Sequence, residues 1–165
     1  LDKRQCDAPK HNPMMMSTSA IRSPYDEIHR IVYFGRMLDR IRLHLGGQLP
    51  AQYHEMFGAG FDERTCDFFH VRFPDLYERA RAGGTDEELL AWCFAHGRQP
   101  TEEETEVWNG FMAKRGWRDA MSHMLREELE IRGWLHRTEI QTLFDFFDAD
   151  EGRPVRTHEP IHRST

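Results

Sequence analysis

Lysine is nearly missing from this chain. Of its 22 basic residues only three are Lys and 19 are Arg. A GC-rich coding bias accounts for such a ratio, and the functional alternative is two-pronged recognition of carboxylate or phosphate, which Arg performs better than Lys. Cysteine is also scarce. Cys6, Cys66 and Cys93 are odd in number, widely spaced and without a C-x-x-C pair, which argues against a disulfide framework or a structural zinc site. No apolar run approaches the roughly 18 residues that span a bilayer, so no membrane segment is expected. The first residues carry charges but no apolar stretch of the kind a secretory signal has, and a reducing, cytoplasmic setting is the default expectation. There is no G-x-S-x-G, no phosphate-binding loop and no dinucleotide fingerprint. Gly58-Ala59-Gly60 is too short for one. No cofactor is therefore expected.

The charges that are present are unevenly spread. The formal total is −6. Residues 1–60 sum to +2 and residues 61–165 to −8. Neither part is a basic patch that would neutralise phosphates, so nucleic acid is not the expected partner. At 165 residues the chain has enough length for one ordinary domain with a sufficient core.

All 19 aromatic residues fall between Tyr25 and Phe147. Large rings dominate core burial, so the expected organisation is a leader over 1–22, a domain over 23–152 and a tail over 153–165, with both ends disordered. The run Met14-Met15-Met16 lies within the leader, and one of these methionines is a candidate natural start.

Within the domain the punctuation is helical. Ser23-Pro24-Tyr25-Asp26 reads as a capping box with Pro at the first helical position. Ile28, Ile31, Phe34, Leu38, Ile41 and Leu45 continue at helical spacing until Gly46-Gly47. Ile31-Val32-Tyr33-Phe34 resembles a strand in isolation, but the longer period overrides it. Short segments follow over 50–56 and 62–69, then a loop into a helix over 74–82. Thr85 with Glu88 and Thr101 with Glu104 open two further helices. Their apolar faces carry Leu89, Leu90, Cys93 and Phe94, and Val107, Trp108, Phe111 and Met112. A helix over 118–132 and a last one capped by Thr138 and Gln141 complete the reading. The expected fold is all-α, with about six to eight helices and no significant sheet.

Several blocks, taken together, resemble a bacterial family of unknown function, number 5069 in the domain-of-unknown-function series. They are Ser23-Pro24, the stretch from Gly35 to Arg42, the stretch from Gly83 to Glu88, Trp108-Asn109, the stretch from Ile140 to Asp145, and the stretch from Asp148 to Arg153. The blocks keep their order and spacing over 23–153. Where similar sequences often carry Trp, this chain has Leu143. The resemblance carries no established activity.

Four constellations could support chemistry. Arg36, Asp39 and Arg40 sit at i, i+3 and i+4 and share a helix face, with Arg42 nearby. They form either solvated ion pairs or a partly buried Arg site for an acidic group, supplied by a ligand or by the chain's own C-terminal acids. Asp145, Asp148, Asp150 and Glu151 repel one another unless something neutralises them. Asp148, Asp150 and Glu151 are the metal candidates, but the run fails as a calcium loop. With Asp148 at position one, Arg153 takes the glycine position and Pro154 follows. No bound metal is expected. Ten histidines include Asp26/His29, Asp67/His70, His123/Glu127 and His54-Glu55, without the paired E-x-x-H motifs of a di-metal bundle. Trp108-Asn109 could line a small-molecule pocket or pack in the core.

Two functional readings follow. One is a small binding or protein-interaction module, its partner an anionic small molecule or a protein, with Arg36, Arg40, Arg42, Trp108 and Asn109 as ligand-binding residues. The other is a small acid/base or metal-assisted enzyme acting on an anionic small molecule, with Asp39, His54 and Asp145 as catalytic candidates beside Arg36. An enzyme needs these groups to line one concave site. A module leaves them dispersed or locked in ion pairs.

Overall fold

Residues 20–156 are described here from a computed structural model of the chain. Seven α-helices form among them: α1 (Phe34–Leu45), α2 (Phe61–Phe69), α3 (Phe73–Arg81), α4 (Asp86–His96), α5 (Glu102–Lys114), α6 (Ser122–Ile131) and α7 (Leu143–Asp150). A hairpin of two short strands, β1 (Glu27–Ile28) and β2 (Ile31–Val32), precedes α1. The all-α expectation holds. Most of the leader expected over 1–22 and of the tail expected over 153–165 lies outside the described residues.

The helix expected to begin at Ser23-Pro24 does not form there. Ser23 does accept the Tyr25 N–H, at 3.2 Å, but its hydroxyl donates to Asp148 of α7 at 2.8 Å. The chain then turns into the hairpin, where Glu27 faces Val32 and Ile28 faces Ile31. His29, Arg30 and Tyr33 all take positive φ, which no helix can accommodate. The short strand-like run therefore prevails over the long helical period, because Ile31 and Val32 are buried by tertiary packing.

Two other boundaries move. The last helix is capped by Thr142, whose side chain accepts the Asp145 N–H, rather than by Thr138 and Gln141. Ile140 is buried ahead of the helix. α6 starts at Ser122 rather than 118, because the chain bends over 117–119, with Arg118 at φ 50°. The capping boxes at Thr85/Glu88 and Thr101/Glu104 form as expected.

α1 is the central element. Phe34, Met37, Leu38 and Ile41 are fully buried in a core that gathers residues from the hairpin and from α2 to α5, with Phe144 of α7. A smaller cluster of Leu125, Leu129, Ile140, Leu143 and Phe146 holds α6 on α7. Phe61 and Phe147 pack against both clusters and join them.

Candidate functional site

α1 buries more than apolar side chains. Arg36 is 2% exposed and Arg40 5%. A charge so placed persists only when paired and hydrogen-bonded, and each arginine of this helix is answered from a different part of the chain.

Arg36 grips the Glu151 carboxylate with both terminal nitrogens, one at 2.9 Å. Tyr53 donates to the same carboxylate at 2.6 Å, and Arg153 also bonds it. Burial pushes the Glu151 carboxyl up, but the hydrogen bonds from Arg36 and Tyr53 outweigh that and hold it below the ordinary carboxylate range. Arg153 turns to Asp148 at 2.6 Å and to the Ile21 carbonyl at 3.0 Å.

Arg40 donates to Asp62 at 2.9 Å, beside the Tyr33 hydroxyl, which donates to the same oxygen. Asp62 is fully buried, and burial raises its carboxyl despite Arg40. Arg42 bonds Asp86 at 2.6 Å, and Arg22 reaches both Asp86 and Asp39. Burial pushes Asp86 up, but the bonds from Arg22 and Arg42 outweigh it and lower its carboxyl. The Arg22 guanidinium lies flat on Gly35, where a Cβ would come within 2.9 Å of its central carbon.

The helix therefore gathers three of the resembling sequence blocks, 35–42, 83–88 and 148–153, through charge. The remaining candidates lie elsewhere. Asp145 is fully buried at the α7 N-terminus, accepting the Gln141 and Thr142 N–H groups and the Tyr25 hydroxyl. His54 is exposed and bonds the Leu49 carbonyl. Asp150 pairs with Arg132. Asp39, His54 and Asp145 do not share a cleft, and no group of three or more potential ligand side chains could hold a metal ion among the described residues.

Trp108 stacks on Phe68 with centroids 4.4 Å apart. Asn109 spans to the hairpin: its carbonyl accepts the Val32 N–H at 3.1 Å and its amide donates to the Arg30 carbonyl at 2.6 Å. Asn109 thus fixes the hairpin tip.

An open cleft of about 350 Å³ lies between that tip, α4 and the start of α5. Ile31, Leu90, Ala91 and Phe94 give it an apolar floor, and His29, Arg30, Glu87 and Glu102 are among its polar lining. The sequence pattern missed this site, because its residues read as part of a first helix or as capping acids. The available signal was the strand-like run at Ile31-Val32 immediately after His29-Arg30.

The profile of a family described as Domain of unknown function (DUF5069) matches residues 18–153. No curated protein matches the chain. No helix among the described residues is long and apolar enough to cross a membrane.

Proposed function

Since the chain belongs to the DUF5069 family, whose description names no activity, we propose its function from geometry. It is a binding module that holds a small organic cation on an apolar stem, in the cleft between the hairpin tip and helices α4 and α5. The observation that carries this reading is the tip itself. His29 and Arg30 hold φ of 47° and 67°, a turn conformation that Asn-Gly adopts with less strain. Side-chain-bearing residues in that region cost on the order of 1 kcal/mol each. Both side chains line the cleft, and Asn109 pins the turn from α5.

The charge of the ligand follows from the lining. Arg30 is already paired with Glu102. Glu87 has no ion-pair partner among the described residues and is the cleft's unanswered charge. The volume suits a ligand at the small end of the usual range. The enzyme reading loses support because Arg36, Asp39, Asp148 and Glu151 are each engaged by the chain's own groups. An anionic ligand finds no vacant arginine on α1.

The test is a titration of the isotope-labelled protein with phenethylamine, followed by amide chemical shifts. 3-Phenylpropanoate serves as the anion of matching shape. Phenethylamine is expected to move the Ile31, Leu90 and Thr105 resonances at millimolar concentration, to bind at least about fivefold more weakly to Glu87→Gln, and to be recovered unchanged. Equal binding of the anion, or no response in the cleft, would overturn the reading.

A further inference from the structure

Helix α5 carries a face that the other described residues do not use. Trp108 and Met112 point into the core. On the opposite side run Glu103, Val107, Gly110 and Lys114, spaced four, three and four residues apart, which is the seam spacing of paired helices. Val107 is 68% exposed, and Phe111 at its flank is 41% exposed. Glu103 and Lys114 have no ion-pair partner among the described residues. Gly110 stands mid-helix, where Gly costs about 1 kcal/mol relative to Ala. A Cβ built there meets nothing within 4 Å, so nothing within the described fold requires the absence of a side chain.

We infer that α5 pairs antiparallel with α5 of a second copy of this chain, about a two-fold axis between Trp108 and Asn109. The seam is complementary to itself in one register only. Glu103 of each copy meets Lys114 of the other, and Val107 of each lies over Gly110 of the other. The missing Cβ lets the two backbones approach more closely than the usual 8–10 Å. Opposite charges at the two ends of one helix are what an isologous pairing needs, since each patch faces its opposite after the two-fold rotation. Antiparallel macrodipoles add to the attraction. Beside the seam, an open groove of about 500 Å³ lined by Phe68, Trp108 and Phe111 extends the apolar area that a second copy covers. Two 13-residue helices bury less than a standard interface of roughly 1,600 Å², which places the association in the weak, reversible class.

Sedimentation equilibrium of the full chain tests this, with Glu103→Lys, Lys114→Glu and the double variant. The wild type is expected to show a monomer–dimer equilibrium with a dissociation constant of roughly 1–100 µM, given that interface class. Each single reversal turns two attractive pairs into two repulsive ones and is expected to weaken association by about tenfold. The double variant restores opposite charges and is expected to return to within about threefold of the wild type. A wild type that stays monomeric at millimolar concentration, single reversals without effect, or a double variant as weak as the singles would each overturn the pairing.

Discussion

The guanidinium of Arg36 and the carboxylate of Glu151 are paired in the interior although 115 residues separate them. Removing one partner of a buried pair leaves the other charge uncompensated, at a cost of about 3–5 kcal/mol. Glu151→Gln is therefore expected to lower the unfolding free energy by about 3 kcal/mol in urea titrations. A double-mutant cycle of Arg36→Met with Glu151→Gln is expected to give a coupling of about 2 kcal/mol, and the cycle of Arg36→Met with Asp148→Asn less than half of that. Asp148 is linked to Arg36 through intermediaries, Arg153 with Glu151 on one side and Ser23 with the Arg22 carbonyl on the other.

Asp86 and Glu151 both have carboxyls lowered in the folded chain. A group of this kind binds more protons when unfolded. Its contribution is complete above its unfolded value and disappears as pH falls through the folded one. Stability is expected to be flat near neutrality and to fall below about pH 4.5, measured as the urea midpoint against pH. Glu151→Gln is expected to flatten that decline. Asp62, raised by burial, acts in the opposite sense, since its folded form holds the proton longer and gains stability as the pH drops. A wild-type midpoint that rises steadily down to pH 3 would mean that Asp62 outweighs the other two.

Relief of the hairpin strain is measurable. His29→Asn with Arg30→Gly supplies the residues that tolerate positive φ, and is expected to raise stability by about 1 kcal/mol. The Arg30–Glu102 pair is largely exposed, so its loss offsets little. Asn109→Ala removes two hydrogen bonds to the same turn and is expected to cost about 2 kcal/mol. Thermal melts of the two variants should move in opposite directions.

Cys66 and Cys93 are buried, and burial pushes the Cys93 thiol up to about 12 and that of Cys66 higher still. Thiolate is the reactive form. Both residues are expected to resist a maleimide at pH 8 in the native protein and to label fully in denaturant, as read by peptide mass spectrometry. Rapid native labelling of either would contradict this burial.

The parts that could be read from sequence were the local ones. Thr85/Glu88 and Thr101/Glu104 are capping boxes whose partners are three residues apart, and both form as read. Ser23 offered the same local signal, but its hydroxyl donates to the Asp148 carboxylate 125 residues away. The neutralisation of the C-terminal acids by α1 was legible as charge balance. Which acid met which arginine was not, because Arg40 turned to Asp62 and Arg42 to Asp86. The cleft stayed hidden for a geometric reason. Its polar residues converge only after the chain reverses at His29 and Arg30, and no periodic pattern encodes that reversal.

The pairing of Arg36 with Glu151 also sets a schedule for synthesis. At about 5–20 residues per second, a ribosome needs roughly 6–23 s to advance the 115 positions from Arg36 to Glu151. Throughout that interval the emerging polypeptide carries an arginine destined for the interior with its counter-charge not yet made. The N-terminal helices of the nascent chain must therefore stay hydrated around that charge until the segment after α7 is made, and closure waits on Glu151.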